Sequence, residues 1–181
     1  MKMTIKEEHA IVLDFLPYGY PLEGKRIPIA QAIGVENFIL LQLVPRRDIV
    51  LELREKVYIG EGKRDKIYYI LGRLPREKLT ETAKAQLRDF IDKVVDENAQ
   101  RFVNFFNTCQ PINTRLHQLE LLPGMGKKHT KEIIEERKKS EFKSFEEMGK
   151  RLPHLPDPKS AVKKRIYEEL TELQRHNLFI K

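Results

Sequence analysis

The sequence predicts an α+β protein in two modules: a small antiparallel β-barrel, a long linking helix, and an all-α module. Three observations carry that expectation. Residues 8–79 hold short β-branched and aromatic runs cut by Pro, Gly and charge clusters. Residues 80–108 then switch to apolar spacing of three and four. From 112 onward, short apolar runs at helical spacing are broken by Gly and Pro. The expected boundaries are 1–79 for the barrel, 80–110 for the linking helix and 111–181 for the helical module.

In the first segment "HAIVLDFL", "ENFILLQLV", "DIVLELREKVYI" and "KIYYILGRL" read as strands, with "PYGYPLEGKRIP" and "GEGKRD" as loop and turn. Leu51, Leu53 and Val57 alternate with charged neighbours, which predicts an antiparallel sheet with one wet face. Four or five strands without long helices between them suit a small barrel, and an OB-like barrel is the expectation.

The next segment, "TETAKAQLRDFIDKVVDENAQRFVNFFNT", reads as one amphipathic helix over 80–108, with Thr80 or Thr82 as its cap. Leu87, Phe90, Ile91, Val94, Val95, Ala99, Phe102, Val103 and Phe106 form one buried stripe. Four basic against five acidic residues make it a brace rather than a binding surface.

Composition narrows the function classes. The net charge is +7. Residues 111–181 carry 16 Lys and Arg against 11 Asp and Glu, so the smaller part holds most of the excess. A basic balance fits nucleic acid without proving it. No apolar run approaches the roughly 20 residues of a membrane span, and "MKMTIKEEHA" lacks the apolar stretch of a secretory signal. A cytoplasmic protein is therefore expected. The single cysteine, Cys109, forms no internal disulfide and reads as a small buried hydrophobe. No H-x-x-x-H or C-x-x-C supports a metal, and no metal or other cofactor is expected.

Within the last segment, "TRLHQLELL", "TKEIIEERKK", "SFEEMGKRL" and "AVKKRIYEELTELQRHNLFI" read as helices. The stretch "LPGMGKKHTKEIIEERKK" sets Lys127 and Lys128 at the start of a helix, directly after Gly124-Met125-Gly126. Cations at a helix N-terminus are unfavourable by roughly 0.3–1 kcal/mol each. A phosphate bound there reverses the sign. Gly124 and Gly126 allow a sharp turn and close approach. Met125 would plug the gap between the flanking helices. The amides of the turn and of the first helical turn form an anion site, which Lys127 and Lys128 flank. Thr130 permits close packing and offers a hydroxyl.

These residues resemble a helix-hairpin-helix nucleic-acid-binding motif in the longer form of the ComEA-type competence proteins. The match runs from Asn113-Thr114 through Leu119 and Leu122, the hairpin Pro123–Gly126, then Lys127, Lys128 and His129, to Thr130, Ile133, Ile134 and Arg137, and on to Phe142–Phe145. The resemblance implies a grip on backbone phosphates by Gly124, Met125, Gly126, Lys127, Lys128, Thr130 and Arg137, with little sequence information. It also implies that the carbonyls of Glu120, Leu122 and Met125 can hold a monovalent cation. A helix connector or a protein-docking turn remains open as the other reading.

A second such hairpin would fall in "RLPHLPDPKSAVKKRIYEEL", but Pro156 and Pro158 stand where glycines are expected, and proline offers no N–H. Lys159, Lys163, Lys164 and Arg165 are either phosphate contacts, with Lys163 and Lys164 the foremost, or a solvated face. In the β segment, Phe15, Tyr18, Tyr20, Tyr58, Tyr68 and Tyr69 lie near Arg26, Arg46, Arg47, Lys63, Arg64 and Lys66. That set is either a stacking surface for single strands or mostly core. Across nearly the whole chain, "REKVYIGEGKRDKIYYILGRL" together with the hairpin resembles an archaeal family of uncharacterised proteins described as nucleotide- or RNA-binding.

A non-catalytic nucleic-acid-binding protein is thus the expectation, its partner DNA or RNA and not a membrane. An assembly protein that docks a partner protein through the hairpin comes second. A DNA-repair enzyme is least supported. The hairpin-type glycosylases carry an Asp soon after the motif, where "EFKSFEEMGK" has only Glu, and neither a Lys-x-Asp-Gly signature nor a Ser/His/Asp or Cys/His arrangement is visible.

Overall fold

The computed structural model describes residues 7–181. Residues 1–6, part of the expected 1–79 segment and of the stretch lacking a secretory signal, lie outside the described residues. The protein is α+β: among the described residues a curled five-stranded antiparallel sheet makes a half-barrel, and there are five α-helices. The strands are β1 (His9–Leu16), β2 (Ile29–Gly34), β3 (Leu40–Pro45), β4 (Lys56–Tyr58) and β5 (Ile67–Arg73). Their order is β4-β1-β2-β3-β5, so among the described residues β4 and β5 stand at the edges and the sheet does not close.

The chain divides into two compact units, Met1–Asp89 with Leu170–Leu173 and Ile180–Lys181, and Phe90–Glu169 with Gln174–Phe179. In the first, Ala10, Val12, Ala30, Ala32, Leu41, Leu43 and Ile67 form the buried layer on one face of the sheet. Each large side chain so buried contributes about 1.5–3 kcal/mol. β1 forms where its β-branched and aromatic run predicts a strand, with a bulge between Val12 and Asp14 beside which Leu13 is buried as well as Val12.

β2 is a strand where the sequence reading has none. Ala30, Gln31 and Ala32 carry little β-propensity. The strand is buried on both faces, and small residues fit between its covering layers. Gln31, fully buried, is satisfied: it donates to Lys78 O at 2.6 Å and accepts from Thr80 N at 3.1 Å. The expectation of one wet face is therefore corrected for β2 and β3, whose residues are all buried. The stretch 48–55, expected as strand, is a turn: Leu51 is buried and Leu53 is exposed, so their alternation does not mark a sheet face.

The helix expected over 80–108 is two helices, α1 (Glu81–Glu97) and α2 (Ala99–Thr108). Thr80 caps α1 by accepting from Ala83 N at 3.0 Å. Asn98 breaks the run at φ −118°, ψ 36°. Its Nδ2 donates to Val94 O at 2.9 Å, and such local side-chain bonds compete with helical continuation.

The remaining helices are α3 (Lys127–Lys139), α4 (Phe145–Arg151) and α5 (Pro158–Thr171). Two expected helical stretches are shorter than read. "TRLHQLELL" forms a single 3-10 turn at Gln118–Leu121. Before it, Asn113 Oδ1 takes the Arg115 N–H at 2.8 Å and Leu116 O takes the N–H of Ile112 and Asn113, which closes a tight turn instead of a helix. After α5, residues 172–181 are not helical. Leu178 N and Phe179 N donate to the buried Glu169 carboxylate at 2.9–3.0 Å, folding 176–179 back on α5. Arg165 pairs with the same carboxylate at 2.8 Å. Among the described residues no helix is long and apolar enough to cross a membrane, and no group of three or more His, Cys, Asp and Glu could hold a metal.

Candidate nucleic-acid interface

The turn Pro123–Gly126 leads from the 3-10 turn into α3. Met125 N donates back to Leu122 O at 3.1 Å, and Met125 is buried. Of the three carbonyls expected to face a cation, Leu122 O thus already has one lone pair in use. Gly124 has φ +80°, a left-handed conformation that favours glycine. A Cβ there would stand 3.5 Å from Pro156 Cγ, so the proline-bearing loop packs against the hairpin. Gly126 precedes α3 at φ −105°, ψ −170°, which any residue adopts. A Cβ on it would meet nothing within 4 Å. Neither its backbone angles nor any neighbour within the protein requires a glycine there.

Gly126 has no side chain with which to cap α3. Thr130 is the first helical N–H bonded back to Gly126 O, at 3.0 Å, and its hydroxyl donates to the same carbonyl at 2.9 Å. The amides of Lys127, Lys128 and His129 have no acceptor among the described residues. The N-terminus of α5 differs. There Asp157 accepts from Ser160 Oγ at 2.6 Å and from Lys159 N at 3.3 Å, so a carboxylate of the chain already occupies the anion position. Pro158 sits in the first turn, where its missing N–H costs nothing.

The two hairpin lysines are unlike. Lys127 Nζ donates to Arg115 O at 2.8 Å and pairs with Glu120 Oε1 at 3.1 Å. The His117 N–H, and then Lys127, hold the Glu120 carboxyl below its ordinary pKa. Lys128 is exposed and has no ion-pair partner among the described residues.

Several expected contacts are committed elsewhere. Arg137 turns inward, donating to Phe106 O at 3.1 Å and Cys109 O at 2.9 Å, where it terminates α2. Cys109 is buried, and burial pushes its thiol up to about 11. Lys163 pairs with Asp96 at 3.2 Å and Asp92 at 3.5 Å, and Lys159 with Asp96 at 2.7 Å. Arg165 is buried. Lys164 alone of that run is exposed.

In the sheet unit, Tyr20 is locked by Gln42 at 2.8 Å and lies under Lys78, while Tyr58 OH accepts from Gly62 N at 2.9 Å. Phe15 is half-buried against the core. Arg46 and Arg64 donate to backbone carbonyls, and Lys66 pairs with Glu55. Tyr18, Tyr68 and Tyr69 remain exposed, as do Arg26, Arg47 and Lys63.

Beside the hairpin runs a groove of about 400 Å³, walled by α3 on one side and the 111–117 turn on the other. Lys127, Lys131, Ile134 and Lys138 line it from α3. Lys131 and Lys138 are absent from the contacts that the sequence leads one to expect; the signal for them is spacing, which places 127, 131, 134 and 138 on one helical face.

Residues 6–181 match the family described as "Protein of unknown function (DUF655)". The "Uncharacterized protein MJ0038" of Methanocaldococcus jannaschii is 44% identical over 177 residues, covering 97% of this chain and 80% of that protein. The crystal structure of Af1531 from Archaeoglobus fulgidus, titled with the same family, superposes with a TM-score of 0.82 at 41% identity, over 97% of this chain and 100% of the other. The chain belongs to the DUF655 family, shared with these archaeal relatives.

Proposed function

We propose that the protein binds nucleic acid without catalysis, gripping a backbone phosphate at the turn Pro123–Gly126. One observation carries the reading: α3 is a 13-residue helix whose first amides lack a cap, behind a glycine that opens onto free space and beside the unpaired Lys128. A phosphate there accepts from the amides, meets the positive end of the helix dipole and neutralises Lys128. The donors are amides and ammonium groups, which suit holding a phosphate and carry little base information. On this reading 111–152 is a helix-hairpin-helix module whose first helix is reduced to a 3-10 turn. The curled sheet is then an OB-like half-barrel that keeps Tyr18, Tyr68 and Tyr69 free for stacking. The Pro156 loop packs against the hairpin instead of offering a second grip.

The test is a binding titration of the full chain against labelled RNA and DNA over a range of salt. A linear fall of log K with log salt, in DNA or RNA, is expected. Salt-independent binding, or none, overturns the reading. Recovery of a stoichiometric protein partner without nucleic acid would replace it with the protein-docking alternative.

A further inference from the structure

We infer that the groove along α3 carries a single strand of nucleic acid onward from the phosphate at the hairpin; this rests on the proposed function and names its substrate class. The groove is continuous with the hairpin, since Lys127 and Thr130 belong to both. From Lys127 to Lys138 the helix rises about 16 Å, the length of roughly five stacked nucleotides at 3.4 Å each, or fewer when extended.

Charge points to a polyanion. Arg115, Lys127, Lys131 and Lys138 line the groove together with Glu120 and Glu135. Glu120 is already paired with Lys127. Lys131, Lys138 and the Arg115 guanidinium have no ion-pair partner among the described residues, and all three are exposed. Leu116 and Ile134, each half-buried, supply an apolar floor on which a base can lie. Among the described residues no Phe, Tyr or Trp lines the groove, and its one ring, the His117 imidazole, is buried, so phosphate contacts outweigh stacking, and base preference is weak.

Size favours an unpaired strand. A volume of about 400 Å³ has room for a base or two beside the backbone. An unpaired base can swing into that space, whereas the bases of a duplex stay stacked and paired, so a duplex brings only its phosphates to the surface. The opposite wall is braced: the 111–117 turn is closed by its own backbone bonds and tied to α3 through Lys127 Nζ to Arg115 O.

The experiment compares wild type with Lys131→Ala/Lys138→Ala, using fluorescence anisotropy on labelled single strands of about 12 nucleotides, uridine and deoxythymidine, and on a duplex of equal length. Both lysines are exposed and unpaired, so melting temperature should hold. The salt slope for single strands should fall by about 1.4, and affinity near 0.1 M salt by about 25-fold, converging toward wild type near 1 M. Duplex affinity should move by less than about threefold, since the hairpin alone supplies it. Lys131→Arg/Lys138→Arg should restore single-strand binding. The two single strands separate RNA from DNA.

Unchanged single-strand affinity in the folded double alanine variant overturns the inference. If Lys128→Glu still weakens binding in that case, the proposed function survives it. Equal losses for single strand and duplex also overturn it, because the lysines would then serve both. So does a polyglutamate peptide that displaces the strand from wild type but not from the variant, which would assign the groove to an acidic polypeptide. If wild type binds no nucleic acid, the proposed function fails first and this inference with it.

Discussion

Lys128→Glu should make the protein more stable and bind nucleic acid less well. Lys128 stands in the first turn of α3, exposed, with no partner to lose. A cation there opposes the helix dipole and an anion favours it, each by about 0.3–1 kcal/mol, with exposure holding the effect near the lower end. Reversal therefore stabilises by roughly 0.6–1 kcal/mol. For a chain of this length each kcal/mol is about 2–4 °C, so the melting temperature should rise by about 1–4 °C. Binding moves the other way. Releasing one phosphate lowers the salt slope by about 0.7–0.9 and affinity near 0.1 M salt by about 5–8-fold, with repulsion by the new carboxylate adding to it. Thermal melts and salt-dependent titrations on the same preparation read both quantities. Lys127 is the poorer probe, because Lys127→Glu would set a second carboxylate against Glu120 and break the tie to Arg115 O. A Lys128→Glu variant that melts lower than wild type, or binds with unchanged slope, refutes a phosphate at this helix end.

Three further outcomes are expected. Gly126→Ala should weaken binding while shifting melting by no more than about 3 °C: the Cβ meets nothing in the protein, and the poorer N-cap, about 0.5–1 kcal/mol, is offset by reduced freedom of the unfolded chain; unaltered affinity would mean that nothing approaches that glycine. Arg137→Ala should cost roughly 2 kcal/mol or more by removing the bonds to Phe106 O and Cys109 O, without changing the salt slope; a stable variant with a reduced slope would return Arg137 to the interface. Burial, and then the hydrogen bond and charge of Glu36, push the Glu7 carboxyl up to about 7. The folded state therefore binds more protons than the unfolded one between about pH 4.5 and 7, so stability from this group is full below about 4.5 and is lost as pH rises through 7. Glu36 acts at the other end. Burial opposes its ionisation, but the hydrogen bond with Glu7 and backbone N–H groups outweigh burial and lower its pKa, so its contribution is lost in acid. Denaturant melts between about pH 5 and 8 should show the decline, and Glu36→Gln should lessen it while burial keeps part of it; a rise of stability over that range would contradict the raised Glu7 pKa.

Local signals set much of the chain. β1, the cap at Thr80, the left-handed Gly124, buried Met125 and the start of α3 follow from β-branched and aromatic content, capping chemistry and glycine spacing, which act over a few residues and need no knowledge of what lies across the fold. The rest was decided by neighbours far along the chain. β2 is a strand because Lys78 and Thr80 satisfy Gln31 from 47 and 49 residues away, which no propensity of Ile29–Gly34 discloses. Arg137 matches a binding motif in sequence, yet the open carbonyls at the end of α2 claim it. Lys159 and Lys163 read as a basic run until Asp92 and Asp96 of α1 neutralise them. Among the cations in this half of the chain, glycine spacing and helical periodicity suffice to put Lys128 at a helix start. The fold decides which of these cations are neutralised, and it leaves Lys128, Lys131 and Lys138, like Arg115 and Lys164, without an ion-pair partner among the described residues, because the worth of a charge depends on the partner that the fold brings to it.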